Sequence, residues 1–247
     1  MDGILIVDKP VSKTSFDVVW NVRKEYNTKK VGHIGTLDPM ASGVLPVLIG
    51  NATRLSDILV EHDKEYIAIL TLGKATDTGD SEGKVIQVDN RFFNEEKENK
   101  NYNEETKNLY NKKEDKFKIT TEFNSVEIDS KNITKEEINY LTKEKIEEVL
   151  KSFLGDSMQI PPMYSAIKIN GRKLYEIARS GKIVEREPRK ISISEIELLE
   201  FKNPNEIKFR VVCSKGTYIR VLCEDIAQKL GTVRIYELFE KNKSWKL

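Results

Sequence analysis

The stretch Gly32–Pro46, GHIGTLDPMASGVLP, sets a single carboxylate, Asp38, among three glycines and two prolines. Pro39 biases the residue before it away from helical backbone. Gly32, Gly35 and Gly43 let another backbone or a ligand come close. The segment therefore reads as a loop that holds Asp38 in one place beside something bulky. On spacing alone an Asx turn, with Asp38 capping a nearby amide, is the simpler reading. The GHIG start lacks the Gly-Lys-Ser/Thr ending of a phosphate-binding loop. Past the loop, Val44–Ile49 is apolar and reads as a strand.

Working outward, Gly3–Pro10 (GILIVDKP) is a short strand stopped by proline. Thr14 or Ser15 then caps a helix in which Phe16, Val19, Trp20 and Arg23 recur at helical spacing. A short helix is expected over Thr53–Val60. Glu65–Gly73 (EYIAILTLG) is rich in β-formers, and the turn cluster TDTGDSEGK leads into KVIQV, which predicts a hairpin of these two runs. Thr134 with Glu137 resembles a capping box opening a helix that Gly155 would stop. Tyr164–Gly181 combines a strand, an Asn-Gly turn and a short helix. Two strand-like runs, Ile191–Phe201 and Glu206–Ser214, precede a helix over Thr217–Leu230 and a last strand over Arg234–Phe239. The mixture predicts an α+β fold with a mixed sheet.

The totals narrow the function classes. In 247 residues, 41 basic side chains face 40 acidic ones, so the net charge is +1 and no global positive field exists. A nucleic-acid partner would need a local patch. One is available: Lys168–Lys190 holds eight Lys or Arg against three acids, with Tyr175 among them. Asn94–Lys118 holds seven acids, seven bases and six asparagines with no apolar period, and reads as a solvated insertion. The two cysteines, Cys213 and Cys223, form no CxxC pair and point to free thiols in a reducing cytoplasm. No apolar run reaches the roughly 20 residues that span a bilayer, and the N-terminus does not read as a targeting segment. In Cys213–Ile226 (CSKGTYIRVLCEDI) a Lys-Gly turn enters a helix, where free amides suit an anion, with Tyr218 and Arg220 at its start.

Five segments together resemble the TruB family of tRNA pseudouridine synthases. They are DKPVSKTSFDVV, GHIGTLDPMASGVLP, KEYIAILTLGKATDTGDSEG, PPMYSAIKINGRKLYEIARSG and CSKGTYIRVLCEDIAQKLG, in the family's order. The resemblance implies a pseudouridine synthase fold: a central, mostly antiparallel mixed sheet flanked by helices. It implies one catalytic domain over 1–247, a flexible insertion at 91–120, a thumb-like RNA-binding insertion at 162–190, and no full C-terminal PUA-like module. The implied activity is isomerisation of uridine 55 in the T arm of tRNA, by a monomer, with no cofactor and no metal. Asp38 matches the essential catalytic carboxylate. With an ordinary pKa of about 3.9 it is ionised at neutral pH. It can attack C1′ or C6, or take a proton from C2′. Tyr66 matches the tyrosine that stacks on the flipped base, Tyr218 a second active-site tyrosine, and Arg220 the arginine that holds the aspartate ionised. His33 matches a histidine that fills the space the flipped nucleotide leaves. Leu238 matches an apolar residue packing on the pocket. Lys9 and Pro10 match a mainly structural motif. The alternatives are the same chemistry on another RNA, or an RNA-folding chaperone.

Two departures from the family pattern stand out. Ser12 occupies a position usually held by glycine, so a turn with positive φ there would be strained. Phe239 and Glu240 follow Leu238 in place of a usual arginine pair.

Overall fold

The computed structural model describes residues 1–89, 92, 141–202 and 205–232 with their side chains, and the backbone of 116–120, 125–129 and 234–241. Strands β1 (Gly3–Lys9), β2 (Val31–His33), β3 (Ser42–Ile49), β4 (Lys64–Leu72), β9 (Gly155–Gln159), β12 (Arg189–Lys202), β13 (Glu206–Cys213) and β14 (Arg234–Lys241) form one eight-stranded sheet. Its order is β1-β3-β14-β4-β13-β12-β9, with β2 also on β3. Every pairing is antiparallel except β14 with β3, which is parallel. The fold is thus α+β with a mixed, mostly antiparallel sheet.

One core unites the elements. In β13 the alternate residues Ile207, Phe209, Val211 and Cys213 are buried, the period-2 pattern of a strand with one covered face. Onto the sheet pack α1 (Ser15–Glu25) through Val18, Val19 and Val22, α3 (Lys143–Lys151) through Ile146, Val149 and Leu150, and α5 (Ile219–Lys229) through Leu222, Cys223 and Ile226. Full burial of such a side chain contributes about 1.5–3 kcal/mol. No described helix is long and apolar enough to cross a membrane.

Several expectations change in detail. Helix α1 is capped by Thr14, whose hydroxyl accepts from the Asp17 amide while Asp17 bonds back to the Thr14 amide. Its buried stripe, however, leaves Phe16 and Trp20 outside. Apolar spacing alone does not say which of two adjacent stripes the core will take. Residues 50–60 split into a 3-10 turn (Gly50–Leu55) and a single turn of helix, α2 (Ser56–Leu59). The hairpin around the TDTGDSEG turn pairs β6 (Val85–Val88) with β5 (Lys74–Thr76), because Gly73, at φ 92, breaks β4 before the turn. The capping box at Thr134 and Glu137 lies outside the described residues. Helix α3 as described opens at Lys143, with Thr142 accepting from the Lys145 amide at 3.2 Å. It ends at Lys151, and Gly155, at φ 95, begins β9 instead of closing the helix. Most of the 91–120 insertion also lies outside the described residues. Its last five form β7 (Lys116–Thr120), which pairs with β8 (Ser125–Asp129).

Residues 164–181 follow the local reading of a strand, an Asn-Gly turn and a short helix. Asn170 and Gly171, at φ 51 and 81, turn β10 (Lys168–Ile169) into β11 (Arg172–Lys173), and α4 (Leu174–Arg179) follows. Both positive φ values suit Asn-Gly. Leu174 and Ile177 anchor α4, and the chain continues without regular secondary structure to β12.

Candidate active site

The loop between β2 and β3 carries Asp38, and its backbone is tied down on one side. Ser15, at the start of α1, donates its hydroxyl to the Leu37 carbonyl at 3.2 Å and accepts from the Leu37 amide at 2.9 Å. The Ser12 amide donates to the Pro39 carbonyl at 2.8 Å. The fully buried Lys9 donates to the carbonyls of Pro10, Lys13 and Pro39 at 2.9, 2.6 and 3.2 Å. Gly35 and Gly43 supply positive φ at the two ends of the turn, 76° and 112°. Gly32 does not: a Cβ there would meet only Thr53, at an ordinary 3.9 Å.

The Asp38 side chain is held from the opposite direction. Arg220, in the first turn of α5, places Nε 3.0 Å from Asp38 Oδ2. Its Nη1 donates to the Thr78 carbonyl at 3.2 Å and lies 3.8 Å from Asp80 Oδ2, and its Nη2 donates to the Tyr164 carbonyl at 2.8 Å. One buried guanidinium thus ties the Asp38 loop, the β5–β6 turn and the start of the 162–190 segment to α5. Asp38 keeps 36% of its side chain exposed, so the paired carboxylate remains open to a substrate.

The electrostatics correct the simple expectation for Asp38. Burial pushes its carboxyl above the ordinary value; Arg220 and, more weakly, Lys9 oppose this, and the Asp80 charge adds to it. Desolvation of the charged form outweighs the ion pair. Asp80 is itself held: its Oδ1 accepts from the Thr78 hydroxyl at 2.7 Å and the Glu82 amide at 3.2 Å.

Tyr66, on β4, is half-buried, and burial pushes its phenol far up, with Cys213 and Asp38 adding to the shift. It stays protonated and can donate. Tyr218 is the N-cap residue of α5. Its phenol is also pushed up, by burial first, while Ser165, Arg189 and Arg220 oppose the shift. The helix start was expected to leave amides open for an anion. One of these amides, that of Tyr218, donates to Gln159 Oε1 at 2.8 Å, and Gln159 Nε2 donates to the Tyr218 carbonyl at 3.1 Å. The buried Gln159, from the end of β9, therefore fixes the backbone that presents Tyr218 and Arg220.

Asp38 and Arg220 are in contact, and Tyr66 and Tyr218 lie within the reach of the Asp38 charge. His33 ends β2, half-buried opposite Val47, and burial lowers its pKa, leaving a neutral ring at pH 7. Leu238 lies on β14 paired with Ile69, just past a bulge; its side chain is outside the described set. Asp80, Gln159 and Ser15 escaped the sequence reading because each acts through a contact to a distant segment. Within residues 162–190 Arg186 is buried and Lys190 pairs with Asp156 at 2.8 Å. The remaining bases of that segment include the exposed Lys168, Arg172, Arg179, Lys182 and Arg189.

Residues 23–113 and 101–219 match the TruB family pseudouridylate synthase (N terminal domain). The chain is 44% identical over 231 residues to the tRNA pseudouridine synthase B of Clostridium kluyveri and to that of Clostridium acetobutylicum. Each match covers 94% of this chain and 63% of the relative. The same-named protein of Francisella philomiragia is 41% identical, over 94% of this chain and 61% of its own. The chain thus spans less than two thirds of the length of these relatives. Among solved structures, a chain of a Cbf5-Nop10-Gar1 complex superposes with a TM-score of 0.61 at 26% identity, covering 98% of this chain and 48% of that one. A chain of an H/ACA RNP bound to a substrate RNA containing 2'-deoxyuridine gives 0.57 at 25% identity, covering 98% and 47%. With the greater part of its length matched by the family and the site's carboxylate, arginine and two tyrosines gathered in one place, the chain belongs to the TruB family of pseudouridylate synthases.

Proposed function

We propose that this chain isomerises uridine 55 in the T arm of tRNA to pseudouridine, with Asp38 as the essential carboxylate. The observation that carries the reading is the Asp38–Arg220 pair, 3.0 Å apart, with Tyr66 and Tyr218 close enough for the Asp38 charge to act on both phenols. The name shared by the relatives at 40–44% identity supports the choice of tRNA.

In the proposed reaction the target nucleotide leaves its stack and enters the cleft, at a cost of a few kcal/mol. Tyr66 stacks on the base and keeps its phenolic proton, so it donates and does not act as a base. The N1–C1′ bond breaks, the uracil turns, and a C5–C1′ bond forms. The C5 hydrogen leaves and N1 takes up a proton, so the product is an isomer and no redox step is involved. Ionised Asp38 acts as nucleophile at C1′ or C6, or as base toward C2′. Arg220 holds the carboxylate in place and favours its charged form. Tyr218 lines the base, and Leu238 lies on the strand beside β4. His33, uncharged, occupies the gap left in the RNA loop. The exposed bases of residues 162–190 contact phosphates, which makes binding salt-dependent although the net charge is only +1. We assign the protein to the cytoplasm, which suits its two buried cysteine thiols, and to a monomer, since one chain supplies both Asp38 and Arg220.

The test is tritium release from T-arm RNA labelled at C5 of its uridines. Wild type should release one equivalent, and Asp38→Ala none, while still binding the RNA. Absence of release by wild type would overturn the reading.

A further inference from the structure

Helix α1 has two unlike exposed flanks beside its buried stripe. On one lie Asp17, Asn21 and Glu25. On the other lie Phe16, Trp20 and Arg23, at spacings of four and three residues, with Lys24 next to them. Phe16 is 59% exposed and Trp20 56%. Each ring has a cation over it: Arg23 Cζ is 5.7 Å from the Phe16 centroid, and Lys24 Nζ is 5.7 Å from that of Trp20. The core needs neither ring, since α1 is anchored by its valines.

The position of this flank suggests its partner. Arg23 Nη2 donates to the Val31 carbonyl at 3.1 Å, so the aromatic flank is the one turned toward β2, two residues before His33. Phe16 follows Ser15, which holds Leu37 next to Asp38. The flank therefore starts beside the Asp38 loop and runs along the strand that presents His33. Its charged members are the half-buried Arg23 and the exposed Lys24, and Lys29 adds the same sign before β2; Asp17 borders the flank beside Trp20, and Glu25 lies beyond it. An anionic partner with planar apolar faces fits this surface. Nucleobases have such faces, and their phosphates suit the cations.

We propose that the Phe16–Trp20 flank of α1 is a second RNA contact, on which unpaired bases of the substrate RNA, outside the target nucleotide, stack. The inference rests on the RNA-modifying reading above and extends its interface along α1.

Trp20 supplies its own probe. The chain has two tryptophans, Trp20 and Trp245, so Trp245→Phe leaves Trp20 as the sole emitter. Titration of this variant of the 247-residue chain with a tRNA transcript should quench Trp20 emission, saturating at the RNA concentration that saturates filter binding. Phe16→Ala with Trp20→Ala should raise Kd and KM at least about fivefold for each stacked ring lost, with kcat unchanged. Both side chains are exposed, and circular dichroism checks the fold. Trp20→Phe should keep most of the affinity, whereas Trp20→Leu should behave like the alanine variant, which separates stacking from general apolar contact.

Unchanged Trp20 emission at saturating, productively bound RNA would overturn the proposal. So would a wild-type KM in the double variant. An emission change that tracks protein concentration without RNA, with sedimentation as a dimer, would assign the face to a second copy of the chain and overturn it as well. Quenching by RNA that wild type binds but does not isomerise would leave this surface standing while the proposed reaction falls. No RNA binding at all would end both.

Discussion

The Asp38 loop is gripped from two sides by two buried cations, and they do different work. On the side of β1 and α1, Lys9 gives all its donors to backbone carbonyls, one of them Pro39, and touches no carboxylate. On the side of α5, Arg220 divides its donors between the carbonyls of Thr78 and Tyr164 and the carboxylates of Asp38 and Asp80. Lys9 holds the shape of the loop; Arg220 bears on the position and charge of the Asp38 carboxylate. A point ammonium suffices for the first task, whereas the planar fork of an arginine is needed for the second.

The largest effect should come from breaking the α5 side. In the proposed reaction Asp38 acts ionised, so activity should rise with pH as its proton leaves. Burial places that rise above the ordinary carboxylate value of 3.8. Arg220→Met removes the strongest opposing charge. The acid limb of kcat/KM should move to still higher pH, and turnover at pH 7 should fall about a hundredfold or more, as when an electrostatic partner of a reacting group is lost. Asp80→Asn removes a like charge instead, so the acid limb should move to lower pH, although turnover falls because Arg220 loses an anchor. A pH profile of tritium release with both variants checks the pair. Limbs that shift in the same direction would refute the assignment of opposite roles.

Breaking the Lys9 side should read out differently. Lys9→Met leaves three carbonyls without their donor, at a cost of about 1–3 kcal/mol for each one that stays buried and unpaired. Denaturant unfolding should show the loss. Turnover per folded molecule should fall far less than in Arg220→Met, and the acid limb should move up only slightly, since Lys9 is the smallest of the named influences on Asp38. A large change in kcat with unchanged stability would merge the two sides into one.

The contrast also explains what the sequence could reveal. Asp38, Tyr218 and Arg220 sit in segments that turn residues mark out, but their roles, and Tyr66 altogether, were legible only through the family resemblance of those segments. Gln159 and Asp80 were missed. The Gln159–Tyr218 pair spans 59 residues and the Arg220–Thr78 bond 142, and nothing near either partner in sequence advertises the other. Most strands were legible because β13 and β4 place β-formers in runs bounded by turn residues. The hairpin partner of β6 was misassigned because the break at Gly73 depends on its φ. In α1, helical spacing was right and the facing was wrong: Val18, Val19 and Val22 fill the core, and the larger Phe16 and Trp20 remain outside. The raised Asp38 pKa was hidden for a similar reason. A sequence shows that a carboxylate and an arginine can meet, but not how dry their meeting place is.

The smallest expected effect tests the backbone side of the grip at Ser12. Its φ is 65°, in the left-handed region, where a side chain costs roughly 1–2 kcal/mol. Its amide donates to the Pro39 carbonyl at 2.8 Å, the same oxygen that Lys9 reaches. The strained residue is thus retained where it helps to hold the turn after Asp38. Ser12→Gly removes the strain and preserves the amide donor, while a freer unfolded chain offsets part of the gain. The net expectation is a stabilisation of about 0.5–1 kcal/mol in denaturant unfolding, with turnover unchanged. A destabilised Ser12→Gly variant would mean that the serine hydroxyl, and not the backbone alone, contributes to the loop. A stabilised variant with lower turnover would mean that the strain itself tunes the placement of Asp38, and would move Ser12 from the scaffold to the site.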